Sequence, residues 1–286
     1  MFHSHRPWVG LEDMEIGNKN DSKQDITIAV AMHKPYQTPQ ESMYLPIHVG
    51  SSLHPDILTD ITQDNTGENI SALNPYFSEL TAMYWLWKNC DSDYKGLVHY
   101  RRHFASKKYS HRHAKNRFDR IIGHDELRQL LQNNSVLVPK KRHYYIETVY
   151  SHYSNTMRGE QLDKTREVLI DLAPDYVPAW DKVMRSRSAH IFNMMVMDRK
   201  HFDQYCAWLF PILFELQKRL DPANYDAFQA RYLGRVSERL FNAWLITNHI
   251  EYGTLPTIYA EPVNWWKKGT GFLNAALRHK SYSASF

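Results

Sequence analysis

Short apolar runs rich in β-branched residues alternate along the chain with longer stretches whose apolar positions recur every three or four residues. The first run, Ile26-Thr-Ile-Ala-Val-Ala-Met32, stops at His33-Lys34-Pro35 and predicts a buried strand with a polar carboxyl end. Similar runs predict strands over 45–49, 95–100, 135–139 and 190–197. Helical spacing predicts a helix over 74–89, with Asn74 as its cap, Pro75 in its first turn and Phe77, Leu80, Tyr84 and Trp87 on one face. Further helices are expected over 146–171 (in one piece or two), 177–185, 198–220 and 235–249. The segment DNTGENIS, 64–71, has the turn formers of a loop, and the basic stretch 105–120 reads as a mobile one.

Strands and helices interleave throughout, so the expected class is α/β, with a central mixed sheet flanked by helices and a helical C-terminal part. No repeat or linker divides the pattern. It predicts one domain over 25–260, between a loose polar leader (1–24) and a basic, aromatic tail (261–286). In open sheets of this class ligands bind outside the carboxyl ends of the strands, which directs attention to His33 and to the end of the 95–100 strand.

Composition narrows the function. With 286 residues, 43% hydrophobic and 23% charged, the chain has ordinary globular proportions and enough length for a sizeable core. A formal charge of +4 suits an anionic substrate or membrane surface but falls short of a nucleic-acid binder, and no nucleic-acid module is present. Two cysteines, Cys90 and Cys206, exclude a four-cysteine zinc site and a disulfide framework. The N-terminus lacks a signal-peptide apolar run and no stretch has the length of a membrane span, so a cytoplasmic protein is expected, with membrane contact at most peripheral.

The most distinctive chemistry is Gly96-Leu-Val-His-Tyr-Arg-Arg-His-Phe104. Its strand ends in His99, Tyr100, Arg101 and Arg102, and guanidiniums fork onto phosphates without a metal. The competing reading is a salt-bridged strand end, and alternation along a strand would let only one arginine reach a ligand. His33 and Lys34 close the first strand and are either ligand groups or a solvated strand end. In the 64–71 loop, Asp64, Asn65, Gly67, Asn69 and Ser71 offer carboxylate, amide, backbone and hydroxyl groups near a helix start; an Asx-rich turn uses the same residues. Asn193, in an expected central strand, needs buried partners. Arg231, Arg235, Glu238 and Arg239 cluster at a helix start, with Glu238 either a base or an ion-pair partner. No nucleotide-binding glycine loop, zinc-protease helix or nucleophile elbow occurs, and the pairs His99/His103 and His111/His113 lack a third metal ligand at a telling interval.

Taken together, His33-Lys34, DNTGENIS, ELTAMYWLWKN, GLVHYRRHF, FNMMVM, YCAWLF and GRVSERLFNAWL resemble, in order over residues 26–248, the bacterial DUF4422 glycosyltransferases of capsule, exopolysaccharide and O-antigen assembly. The resemblance implies a GT-A-like fold and transfer of a hexose, with galactose in pyranose or furanose form among the candidates, from a UDP-sugar to a lipid-linked glycan at the inner face of the membrane. By position it implies donor-site roles for His33, Lys34, Asp64, Asn69, Ser71, His99, Arg101 and Arg102. For the base that takes the acceptor proton, Glu238, Asp64 and Asp198 compete. Where a metal-binding aspartate pair is common in nucleotide-sugar transferases, this chain has His-Tyr-Arg-Arg. That favours a reaction without cofactor over one using Mg²⁺ or Mn²⁺. The alternative is a non-catalytic sugar- or lipid-binding protein of a polysaccharide assembly complex.

Overall fold

The structure is a computed structural model that describes residues 25–261. The leader over 1–24 and the aromatic-basic residues of the tail lie outside the described residues. The strands are β1 (Ile26–Met32), β2 (Tyr44–His48), β3 (Thr62–Gln63), β4 (Tyr94–His99), β5 (Arg102–Phe104), β6 (Val136–Pro139), β7 (Arg142–His143), β8 (Ser188–Ala189), β9 (Met195–Asp198), β10 (Gly253–Leu255) and β11 (Thr257–Tyr259). The helices are α1 (Asn74–Phe77), α2 (Leu80–Asn89), α3 (Tyr109–Arg112), α4 (His124–Leu131), α5 (Val149–Ser154), α6 (Gly159–Leu172), α7 (Val177–Arg185), α8 (Arg199–Arg219) and α9 (Tyr232–Thr247).

The main sheet runs β10-β6-β9-β4-β1-β2-β3, with β5 joined to β4 and β11 to β5. It is mixed: β1 pairs in parallel with β2 and β4, while β9 is antiparallel to both β4 and β6. Alternation along β1 explains its central place. Ile28, Val30 and Met32 enter one core, Ala29 and Ala31 the other, so both faces are covered. The small side chains face the core built with α2, α8 and α9. At Gly96 in β4 an added Cβ would lie 2.8 Å from the Met195 carbonyl, so β4 and β9 approach as only glycine permits.

Three expectations need correcting. The 74–89 helix is two helices, broken at Ser78 (φ 52°); Asn74 lies inside α1 instead of capping it, and its Nδ2 donates to the Ser78 carbonyl at 2.9 Å. The apolar run 190–197 is not one strand. Phe192 (φ 84°) and Asn193 (φ 51°) turn the chain between β8 and β9, so Asn193 precedes the strand instead of lying in it. The basic stretch 105–120 contains α3 and a 3₁₀ turn at Phe118–Arg120, and is tied down where Ser106 Oγ donates to Glu126 and Arg117 to the Tyr259 carbonyl.

Candidate active site

A cleft of about 690 Å³ opens at the carboxyl ends of β1 and β4. β1 delivers His33 and Lys34 to it. β4 ends at His99, the chain turns through Tyr100 and Arg101, and His99 pairs with Arg102 on β5. This turn, which strand alternation did not anticipate, lets both arginines line the cleft. Arg101 is exposed, its guanidinium carbon 5.2 Å from the Tyr100 ring centroid. Arg102 is held between two rings, 3.6 Å from the Phe192 centroid and 4.7 Å from that of Tyr259, its ladder partner on β11. Its Nε has no hydrogen-bond partner among the described residues.

Tyr100 is 1% exposed and acts as a hub, edge-on to His33 and Tyr36 at 5.2 Å and under the Lys34 ammonium at 5.8 Å. Burial, then Arg102 and Arg101, push the His99 pKa down to about 3, so its imidazole is neutral at physiological pH. His33 is lowered too, by burial and then by Arg231 and Arg101.

The opposite wall comes from α9 and the β7–α5 region. Glu238 accepts from the Phe192 backbone N–H at 2.8 Å and pairs with Arg239, whose guanidinium also donates to the Arg235 carbonyl at 2.8 Å. Arg142, Tyr144, Tyr153, Arg231 and Arg235 line the same space. Asn193 does not line it but braces it. Its Nδ2 donates to Glu79 Oε1 and to the Gly234 carbonyl, both at 2.8 Å, and its Oδ1 accepts from Ser237. Two consecutive non-glycine residues with positive φ cost on the order of 1–3 kcal/mol each, offset here by the bonds to Glu238, Glu79 and α9. Glu79 lines the cleft, and its pKa is raised chiefly by burial.

The 64–71 loop does not line the cleft. Asp64 is fully buried and accepts from Gly50 N, Ser51 N, Ser51 Oγ and Ser71 Oγ, so its oxygens hold the loop to the end of β2. The Asn65 N–H donates to Ser51 Oγ, and Asn69 Nδ2 donates to the carbonyls of Asn65 and Gly67. Gly67 has φ 56° with Asn89 packed against it. Asp198 caps α8, accepting from His201 N at 2.8 Å. Of the candidate residues, His33, Lys34, His99, Tyr100, Arg101, Arg102, Glu238 and Arg239 therefore meet in one place, with Asn193 behind them, while Asp64, Asn65, Gly67, Asn69 and Ser71 form a separate, self-bonded loop. Arg142, Tyr144 and Tyr153 were not singled out by sequence; the basic-aromatic run KKRHYY (140–145) is the signal that marks the first two.

Seven cationic side chains (Lys34, Arg101, Arg102, Arg142, Arg231, Arg235, Arg239) and three carboxylates (Glu79, Glu238, Glu261) line the cleft. Such a surplus selects an anion. Among the described residues no group of three or more His, Cys, Asp or Glu side chains is arranged to hold a divalent cation. Asp64 is saturated, and Glu68, its neighbour, bonds Tyr84 and Lys88.

No curated protein sequence matches the chain. Among solved structures, one titled as the apo form of the bifunctional glycosyltransferase WbbM superposes with a TM-score of 0.76 at 28% identity. The match covers 83% of this chain and 46% of that one, so this chain spans about half the length of its structural relative. The family model described as a domain of unknown function, DUF4422, matches residues 27–249, from the first residues of β1 to just past the end of α9. β1 (from Thr27), β4, β5, β7, α5 and α9 lie within that span, while β11, which carries Tyr259, lies beyond it, and this chain belongs to the DUF4422 family.

Proposed function

We propose that the protein is a glycosyltransferase that moves a hexose from a UDP-sugar to a lipid-linked glycan acceptor. The observation that carries this reading is the surplus of arginines in a cleft at the carboxyl ends of β1 and β4. It is supported by the likeness to a chain titled as a glycosyltransferase. In this reading Arg101 and Arg102 neutralise the diphosphate, with Lys34 and Arg231 beside them, and the neutral His33 and His99 act as hydrogen-bonding groups.

The acceptor hydroxyl oxygen bonds the anomeric carbon, the bond from that carbon to the diphosphate oxygen breaks with its electron pair, and the hydroxyl proton passes to a carboxylate. Glu79 is the better recipient. Burial raises its pKa towards the working range of a general base, whereas both oxygens of Glu238 are engaged by Phe192 and Arg239. Glu238 then positions Phe192, and through it the Arg102 stack. The charge developing on the leaving group is met by fixed guanidiniums, so the reaction runs without a metal.

The test combines UDP titration and turnover. UDP raises the melting temperature by binding the native state, and a panel of UDP-hexoses with a lipid-linked acceptor yields glycosylated product with at least one donor. Nucleotide binding without turnover on any donor would favour the non-catalytic alternative.

A further inference from the structure

The connection from β7 to α5 carries a feature that the cleft does not use. Tyr145 and Ile146 are 80% and 81% exposed, the most exposed large apolar side chains among the described residues. They project from the tip of the small β7–β8 ribbon. Tyr145 has φ 58°, a conformation unfavourable for an aromatic residue, and its carbonyl accepts from Arg187 Nη1 at 3.3 Å. The chain is thus bent at some cost to present two adjacent apolar groups outward.

The residues flanking the ribbon are cationic. Lys140 and Lys141 enter β7 exposed, Arg185 and Arg187 lead into β8 exposed, and β7 pairs with β8 through Arg142 and Ala189. The neighbouring carboxylate, Glu147, is turned inwards, accepting from His152 and Asn155 at 2.6 Å each. An apolar tip beside Arg187, with Lys140, Lys141 and Arg185 exposed in the residues flanking the same ribbon, is complementary to an anionic bilayer, where the tip enters the headgroup boundary and the cations meet lipid phosphates.

We propose that the Tyr145–Ile146 tip docks the protein on an anionic membrane surface. Arg142 and Tyr144, on the same ribbon, line the cleft. Docking through the tip therefore brings the cleft to the bilayer, where a lipid-linked acceptor is held. That last step rests on the proposed transferase reading; the docking itself does not. No helix among the described residues is long and apolar enough to cross a membrane, so this contact is interfacial.

The experiment is co-sedimentation of the full chain with vesicles of phosphatidylcholine alone and with phosphatidylglycerol added, at low and high salt. Wild type is expected to bind only the anionic vesicles and to be released by salt. Y145S/I146S and, separately, K140S/K141S are expected to weaken partitioning by roughly ten-fold or more, from about one kilocalorie per mole per lost cation or its apolar equivalent. Both variants should keep the wild-type melting temperature and its shift with UDP, since neither pair lines the cleft. Failure of wild type to bind anionic vesicles, or undiminished binding by Y145S/I146S, would overturn the proposal. So would a wild-type dimer that Y145S/I146S converts to monomer in analytical ultracentrifugation, because a second copy would then be the occupant. A vesicle-binding protein that shows no UDP shift would leave the docking intact and remove the transferase reading.

Discussion

The guanidinium carbon of Arg102 lies 3.6 Å from the centroid of Phe192, a residue with positive φ whose backbone N–H is held by Glu238. The stack fixes the plane of a cation in the cleft and links it to a strained turn before β9. An arginine so held is pre-organised for a planar, forked contact with an anion.

Arg102→Lys keeps the charge but loses the fork and the ring sandwich. It is therefore expected to cost nearly as much as Arg102→Ala, on the order of 1.5–3 kcal/mol in UDP affinity. Arg101, exposed and more loosely placed, should tolerate lysine better than alanine. Isothermal titration with UDP on the four variants decides the matter; full affinity in both alanine variants would remove the arginines from the site.

Glu79 and Glu238 separate by kinetics. Glu79→Gln keeps an acceptor for Asn193 and should bind UDP normally, while turnover drops by about 10²–10⁴-fold and the acidic limb of its pH profile disappears. Glu238→Gln leaves Arg239 unpaired and loosens Phe192, so it should lower UDP affinity and melting temperature together. A pH–rate profile unchanged in Glu79→Gln would transfer the base role elsewhere.

Much of the fold was legible because β1 and β6 are apolar runs with clear ends, β4 carries Leu97 and Val98 into a polar end, and Asp198 announces α8 in the ordinary way of a cap. The break at Ser78 and the turn at Phe192–Asn193 were not. The first depends on a side-chain bond from Asn74 to the Ser78 carbonyl and the second on tertiary bonds from Asn193 to Glu79 and α9, which override a good local pattern. In the site, the arginine-rich strand end was readable from adjacent letters. The separation of the 64–71 loop was not, because the same polar residues serve a ligand or one another, and only the folded position of Ser51 decides which.

Gly96→Ala should be among the most destabilising single-methyl additions in the sheet. The new carbon would meet the Met195 carbonyl at 2.8 Å and Val196 at 3.0 Å, forcing β4 from β9 at a cost of about 1–3 kcal/mol. Since β4 carries His99, denaturant midpoint and UDP affinity should fall together. A midpoint equal to wild type would mean the strands part freely.

Acid should weaken the fold through its buried histidines. Burial lowers His103 and His190 to about 4, and His99 goes to about 3, against 6.5 in the unfolded chain. Below pH 6.5 the unfolded chain binds protons that the native protein refuses, so stability is complete above that value and declines as pH falls towards 4. Each histidine contributes roughly 2 kcal/mol of loss between pH 7 and 5. Denaturation free energies at pH 7, 6 and 5 measure the slope, and His190→Asn should flatten it; a level wild-type profile would contradict the neutral, buried imidazoles.

Metal independence is the sharpest test of the site. A departing nucleoside diphosphate needs its charge met either by a cation held on carboxylates or by fixed side-chain cations. Asp64 is bound to Gly50, Ser51 and Ser71, and Glu68 bonds Tyr84 and Lys88, both carboxylates lying outside the cleft lining. Glu238 is bound to Arg239, and a divalent ion brought beside it would meet Arg102, Arg235 and Arg239 in the same cleft. Turnover with a competent UDP-sugar is therefore expected to survive exhaustive EDTA treatment and to gain less than about two-fold from added Mg²⁺ or Mn²⁺. Arg102→Ala should remain impaired to the same degree whether or not metal is supplied. Activity abolished by the chelator and restored by either ion would show that the guanidiniums only assist, and that a cation reaches the diphosphate by carboxylates recruited on substrate binding.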